Sequence, residues 1–353
     1  MSSTNGKIFD LAIIGAGPIG IELHALAKQA GLSVVHIEAQ QIGHTISWYA
    51  PGTHFFSSPE RIQIAGVPLV TLNQDKATRE EYLQYLRQVT AMFELPIHTF
   101  EPVTQIVRPD ESTNGHFTIH TAPISGDRSF HAKHVALCTG DMHAPRLLGV
   151  PGEDLPHVDH YLRDPHNYFD RRVLIVGGKN SAVEAAIRLY RTGAHVTLSH
   201  RQPEISGRVK YWLRPELLSL FKSERIRYLP NTTPKRFTAQ GAELASVTTN
   251  ETIFAQADNI LALTGYVQDT SLFQQVGINL VGETRSPDHN RGTMQTNIDR
   301  LFVAGTATAG TQHHGVTVFI ETSHVHCRKI VRAITGDASP AELQAPSYLL
   351  PES

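Results

Sequence analysis

The chain has 353 residues, 41% of them hydrophobic, and a formal net charge of −2; that length suits two domains with real cores, and near-neutral charge gives no draw toward nucleic acid or a membrane surface. Only two cysteines occur, Cys138 and Cys327, with no CxxC, which excludes a disulfide framework and fits a reducing cytoplasm. No apolar run is long enough to cross a bilayer, and the N-terminus reaches its first strand without an apolar signal core.

In chain order, Ile8–Ile14 reads as a buried strand running into Gly15-Ala16-Gly17-Pro18-Ile19-Gly20 and then a helix. Gly15 suits the tight turn, Gly17 a close backbone approach to a pyrophosphate, and Gly20 close helix–strand packing. The helix start offers free N–H groups and a positive dipole end. The next strand, Ser33–Ile37, ends at Glu38, where a carboxylate grips a ribose hydroxyl pair and repels a 2′-phosphate. This site therefore suits FAD or NAD rather than NADP. Thr78–Phe93 has helical spacing, Val103–His120 reads as paired strands around Asn114-Gly115, and His134–Gly140 as a buried strand ending in Thr139-Gly140. Pro151–Pro156 has the composition of a linker.

A second strand–turn–helix follows: Arg172–Val176 into Gly177-Gly178-Lys179-Asn180-Ser181-Ala182. Lys179 stands where the consensus has its second glycine, and either answers pyrophosphate charge or is solvated. The partner strand, Ala194–Ser199, ends in His200-Arg201 rather than an acid. A guanidinium there suits the 2′-phosphate of NADP; Arg208 and Lys210 follow and either add to that pocket or, with Arg201, are ordinary surface cations. Asn259–Gly265 repeats the strand-plus-Thr-Gly pattern, Arg300–Gly305 is a further strand, and Val316–Thr335 reads as a final helix stopped by Gly336. The expected fold class is α/β with two nested Rossmann-like domains: residues 1–152 plus 268–353 for FAD, and residues 153–267 for NAD(P)H, joined by two hinges that permit rotation.

The two turns, both Thr-Gly strands, Val150-Pro151-Gly152 and Leu301–Gly305 resemble flavoproteins of the low-molecular-weight thioredoxin reductase fold. Thr53–Glu60, Tyr168-Phe169-Asp170 with the second turn, Trp212–Glu216, Thr264-Gly265-Tyr266 and Phe319-Ile320-Glu321 resemble the bacillithiol-disulfide reductase family within it, over nearly the whole chain. The resemblance implies FAD in the first domain, NADPH in the second, hydride transfer between them, and a homo-oligomer. It puts Gly15, Gly17, Pro18, Ile19, Gly20, Glu38, Ala39, Phe55, Phe56, Ser57, Thr139, Gly140 and Gly305 at FAD. It puts Gly177, Gly178, Lys179, Asn180, Ser181, His200, Arg201, Lys210 and Gly265 at NADPH.

The chain departs from that family where its chemistry sits. The family's single cysteine in a GPCG turn is Ile19 here, and thiol chemistry needs a thiolate at the flavin. Cys138 is either a relocated redox thiol or a small core residue. His313 and His314, before a helix that in this fold starts near the flavin, either hold a proton or form an exposed loop pair. Glu321 is structural or catalytic, and Trp48 and Tyr49 stack on a cofactor ring or simply pack. His324, His326 and Cys327 do not share a helix face, so no metal is expected. The reading is an FAD-dependent NADPH oxidoreductase whose acceptor is a small disulfide, a quinone-like compound, or an iron–sulfur or flavin protein docking near Arg208, Lys210 and Arg214. A flavin monooxygenase, lacking its FxGxxxHxxx[YF] fingerprint, and a non-catalytic nucleotide sensor are the alternatives.

Overall fold

The computed structural model describes residues 7–110, 113–249, 251–312 and 315–336. The elements that frame the sites are β1 Ile8–Ile14, α1 Pro18–Gln29, β2 Val34–Ile37, α2 Arg79–Met92, β3 Ile97–His98, β4 Val103–Val107, β5 Phe117–Thr121 and β6 Arg128–Leu137. They continue as β7 Arg172–Val176, α3 Asn180–Thr192, β8 His195–Ser199, β9 Arg227–Leu229, β10 Asn259–Ala262, β11 Leu301–Val303 and α4 Ile320–Thr335. The chain forms two compact units: one runs up to Ser47, over His54–Ala144 and on from Val267; the other is Trp48–Thr53 with Pro145–Tyr266. The segment read as a linker is part of the second unit. Glu153 accepts the N–H groups of Leu148 (2.8 Å) and Gly149 (2.7 Å), which ties the Pro/Gly-rich turn down. Trp48–Thr53, which the sequence pattern left with the first βαβ unit, also belongs to the second: the Arg188 guanidinium bonds the Thr53 hydroxyl at 3.1 Å and the Pro51 carbonyl.

The first unit's sheet runs β3-β2-β1-β6-β5-β4, with β11 also on β6. β6 has ten residues, enough to carry two neighbours on the edge opposite β1: β5 antiparallel along Arg128–Ala132, then β11 parallel along Val135–Leu137. β1, paired in parallel with both β2 and β6, has no solvent face in its second half, and Leu11, Ala12, Ile13 and Ile14 are all buried. α2 starts where Thr78 and Glu81 form a reciprocal capping box. The β4–β5 hairpin forms, but its connection is longer than a two-residue turn: the last pair is Val107↔Thr118, and Asn114 and Gly115 supply two left-handed residues within it.

The second unit's five-stranded sheet is parallel throughout, in the order β9-β8-β7-β10 with the short strand Val158–Asp159 outside β10, and a separate antiparallel sheet joins Thr232–Thr238, Gly241–Ser246 and Thr252–Gln256. Val173–Val176 are all buried. α3 covers them with Ala182, Val183, Ala185, Ala186, Ile187 and Leu189 and ends on left-handed Gly193. The final helix is shorter than its periodicity suggested. Val316–Phe319 are not helical, because Gln312 Oε1 accepts the N–H groups of Thr317 (2.6 Å) and Val318 (3.2 Å) and holds this β-branched stretch out of the helix. α4 ends at left-handed Gly336. Among the described residues no helix is long and apolar enough to cross a membrane.

Candidate functional site

The first unit's candidate site is the turn between β1 and α1. Gly15 has φ +106°, and a Cβ there would lie 2.5 Å from the Cys138 carbonyl oxygen and 3.2 Å from Thr139 N. The turn therefore rests directly on the exit of β6. Gly17 caps α1 without a side chain, and a Cβ placed on it would meet nothing within 4 Å, so the helix N-terminus opens onto free space. Glu38 reaches this turn from the end of β2: its Oε2 accepts from Ala16 N–H at 2.7 Å and its Oε1 from Gln40 N–H at 2.8 Å. Each oxygen keeps acceptor capacity for a ribose hydroxyl. Open space at the N–H groups, an acid beside them and a dinucleotide turn fit FAD. Two polar atoms nearby fit a bound group as well: Thr139 Oγ1 and Gln268 Oε1 are buried with no hydrogen-bond partner among the described residues.

Beneath this turn lies a buried imidazole pair that the sequence did not reveal. His36 contacts the Gly15 carbonyl through Nε2 at 3.0 Å and His24 Nδ1 through its Nδ1 at 3.2 Å. Burial pushes His24 down to about 3 and His36 down to about 4, so both are neutral at pH 7. If His36 donates to the carbonyl, its Nδ1 must accept from His24.

Where the resemblance expects a cysteine, Ile19 is core. It is 5% exposed and packs with Leu23, Cys138, Phe302 and Cys327, and a Cβ on Gly305 would be 3.4 Å from its own Cβ. Cys327 donates to the Ile19 carbonyl at 3.4 Å. Of the two readings of Cys138, its surroundings favour the core residue: burial alone pushes its thiol up to about 12, the reverse of an activated thiolate. Cys327 is likewise pushed up by burial. Phe55 packs on Tyr82 (centroids 4.6 Å apart), Lys76 lies over the Phe56 ring, and Ser57 is buried. Glu321, in the first turn of α4, faces Arg61 at 4.0 Å. His324 turns to Glu22 (2.6 Å) and His326 accepts from Gly305 N (3.2 Å), so with Cys327 they serve three different partners. Among the described residues no cluster of three or more His, Cys, Asp or Glu is placed to hold a metal. His313 and His314 lie outside the described residues.

The second unit's candidate site is the turn between β7 and α3. A Cβ on Gly177 would sit 2.6 Å from the Leu263 carbonyl oxygen, and one on Gly178 would fall on the His200 ring. So His200 packs against the turn rather than reaching outward. Lys179 starts α3. Asn180 Oδ1 accepts Lys210 N–H at 2.8 Å, and Ser181 bonds the Tyr266 hydroxyl, whose pKa burial pushes up to about 12. Lys210 is not an outward phosphate ligand: it is buried, and its ammonium pairs with Glu184 at 2.9 Å. Arg201 and Arg208 are exposed near the turn.

Arg146 is the residue that motif reading missed. Thr264 Oγ1 donates to its carbonyl (2.7 Å) and its N–H donates to Gly265 O (2.9 Å), which clips it to the exit of β10. Its Nε is buried with no hydrogen-bond partner among the described residues, and its guanidinium carbon is 4.0 Å from where a Gly265 Cβ would be. Burial, then Arg201, holds the guanidinium below its ordinary range; burial, then Arg146, Arg201 and Arg208, does the same to Lys179. Four cations crowding one glycine turn fit a polyanionic dinucleotide such as NADPH. Trp48 packs with Tyr161 (5.5 Å) and Tyr266 (6.3 Å), an aromatic cluster of the second unit.

Comparison with known proteins agrees with this geometry. The family model for pyridine nucleotide-disulphide oxidoreductases matches residues 12–305. The bacilliredoxin reductase Bdr of Bacillus subtilis (strain 168) is 33% identical over 323 residues, covering 89% of this chain and 94% of that protein. The bacillithiol disulfide reductase Bdr (YpdA) from Bacillus cereus superposes with a TM-score of 0.87 at 31% identity, over 94% of this chain and 99% of that one. A ferredoxin–NADP reductase of Ignicoccus hospitalis (strain KIN4/I / DSM 18386 / JCM 14125) is 26% identical over 313 residues, 85% of this chain and 90% of that protein. The chain belongs to the pyridine nucleotide-disulphide oxidoreductase family, and is a flavin-dependent oxidoreductase of thioredoxin reductase-like α/β fold whose cofactors are FAD and NADP(H).

Proposed function

We propose that this member of the pyridine nucleotide-disulphide oxidoreductase family carries electrons from NADPH to a small-molecule acceptor without a redox cysteine. The observation that carries the reading is Ile19: a buried aliphatic side chain stands where a reactive thiol is expected, and both cysteines of the chain are buried with raised pKa values. Bound flavin supplies a two-electron relay. The chain supplies position. The N–H groups after Gly15 and the open end of α1 orient one pyrophosphate, and Glu38 accepts ribose hydroxyls. In the second unit the turn at Gly177-Gly178 with Lys179 takes the other pyrophosphate, and Arg201 with Arg208 takes the 2′-phosphate. Lys210 serves as a buried strut for α3 through Glu184.

The test is an anaerobic titration of FAD-loaded protein with NADPH, and separately with NADH, following the oxidised flavin band. Stoichiometric bleaching by NADPH supports the reading; no bleaching by either nucleotide sinks it and favours a nucleotide sensor. A second reading, reduction of a low-molecular-weight disulfide, is favoured by the 31% identical bacillithiol disulfide reductase structure. It requires a working thiol, so blockade of turnover by N-ethylmaleimide on the native protein would support it. Two free, buried cysteines suit a reducing cytoplasm, and the family resemblance favours a homodimer, which light scattering on the holoprotein tests.

A further inference from the structure

Arg146 lies outside both glycine turns, and its backbone is fixed independently of its side chain. Thr264 Oγ1 donates to its carbonyl at 2.7 Å and its own N–H donates to Gly265 O at 2.9 Å, so any side chain at this position leaves from the same point. The guanidinium is poorly matched by protein. Its Nε is buried and unbonded among the described residues, and its Nη2 reaches the Tyr266 carbonyl only at 3.4 Å. A buried donor left unmet costs free energy. Elsewhere in this unit cations meet acids: Lys210 pairs with Glu184, and Arg191 with Glu216. Among the described residues no carboxylate pairs with Arg146, and the charge acting on it is that of another cation, Arg201.

Sheet order separates the two arginines. β7 is central, with β8 on one side and β10 on the other. Arg201 follows β8, the strand whose end meets the adenosine ribose in a unit of this kind. Arg146 is clipped to Gly265 at the exit of β10, on the opposite flank. There the Leu263 N–H donates to Val176 O at 2.9 Å, and a Cβ on Gly177 would lie 2.6 Å from the Leu263 carbonyl oxygen. The exit of β10 is therefore in direct contact with the glycine turn. The guanidinium stands beside Gly265 and close enough to Lys179 to disfavour that ammonium's charge. Lys179 is also where α3 begins, without a side-chain cap over its first N–H groups.

We propose that Arg146 binds the pyrophosphate of the nicotinamide dinucleotide through its unpaired Nε and the adjacent Nη2, and that it does so for NADPH and NADH alike. This rests on the function proposed above and deepens it. Recognition is divided between the two flanks of the turn. Arg146 contributes affinity common to both nucleotides, and Arg201 with Arg208 contributes the preference for a 2′-phosphate. The division also accounts for an arginine held among other cations with no acid beside it. Such an arrangement is unfavourable by itself and becomes favourable when phosphate charge arrives.

The test uses FAD-loaded protein with NADP⁺ and NAD⁺, so no turnover is needed. By calorimetry, Arg146→Gln should weaken binding of both nucleotides by the same factor, about 10- to 100-fold, and Arg146→Lys should recover part of the loss. Phosphorus NMR of NADP⁺-saturated protein separates the two kinds of phosphate. Arg146→Lys should move the pyrophosphate signals and leave the 2′-phosphate signal in place, and Arg201→Lys should do the reverse. Without nucleotide, Arg146→Gln should melt no lower than wild type, because a crowded cation is gone, whereas loss of a structural strut would lower it. Unchanged NADP⁺ affinity, weakening confined to NADP⁺, movement of the 2′-phosphate signal alone, or a melting temperature lowered equally with and without NADP⁺ overturns the proposal. If Arg146→Gln does not fold, Arg146→Lys decides, and stationary pyrophosphate signals in it overturn the proposal. Failure of the parent reading is separate: NADPH then fails to bleach the wild-type flavin at all.

Discussion

Restoring the cysteine that the family pattern expects measures how thoroughly this chain has turned that position into core. In Ile19→Cys three carbons beyond Cβ become one sulfur, a net loss of roughly two buried methylenes, or about 1.6 kcal/mol at ~0.8 kcal/mol each. Neighbours on every side, from Leu23 to Phe302, leave little room for collapse, so an added cavity contribution brings the expected loss to about 2 kcal/mol. At 2–4 °C per kcal/mol, the flavin-binding unit should melt about 4–8 °C lower, read from the release of flavin fluorescence on heating. The introduced thiol should stay unreactive toward Ellman's reagent until the protein unfolds, because residue 19 is buried in the same cluster that raises the pKa of Cys138 and Cys327. Wild type should react only on unfolding. An unchanged melting temperature, or rapid native-state labelling of wild type, would refute the assignment of Ile19, Cys138 and Cys327 to one buried cluster.

Other substitutions test the remaining parts. Arg201→Ala should weaken NADPH binding by about 1.5–3 kcal/mol, roughly 10- to 100-fold, and leave NADH binding little changed; calorimetry with 2′,5′-ADP reports this without turnover. Gly178→Ala should cost about 1–3 kcal/mol by pressing on the His200 ring, and adding His200→Ala should recover much of that loss in a double-mutant cycle of melting temperatures. The His24–His36 pair sets an acid limit. Both pKa values are lowered in the fold, to about 3 and about 4, from an ordinary 6.5, so the unfolded chain binds protons first as pH falls. Stability from this pair is present above about pH 6.5 and declines toward pH 4. A double His24→Asn, His36→Gln variant should flatten the slope of melting temperature against pH in that window; an unaltered slope would assign the acid lability elsewhere.

What the sequence made legible is what backbone geometry dictates locally. Gly15 needs a positive φ, Glu38 ends the strand beside the turn, and Thr78 with Glu81 starts α2, each within a few residues of the feature it explains. What stayed hidden depends on partners far along the chain. Arg146 carries no motif; it becomes a site residue only because Thr264 and Gly265 clip it to the end of β10, 118 residues on. Lys210 looked like a phosphate ligand because nothing in its neighbourhood announces Glu184 as its partner. Trp48–Thr53 looked like a continuation of the first βαβ because the bonds from Arg188 that claim it come from α3. Val316–Phe319 fitted a helical period, but period alone cannot register that Gln312 caps those amides from outside.

The replacement of cysteine by isoleucine has a consequence beyond the lost thiol. A thiolate beside a flavin is both electron carrier and base, and the sulfur it displaces from a disulfide leaves as a thiolate that takes up a proton afterwards. With Ile19 in that place, neither duty can be met from α1, and the two remaining cysteines sit in surroundings that disfavour charge. The ionisable side chains that touch the turn, Glu38 and His36, are engaged with its backbone, Glu38 accepting the Ala16 N–H and His36 contacting the Gly15 carbonyl. That arrangement leaves electron transfer to the cofactors alone and favours acceptors that meet reduced flavin directly.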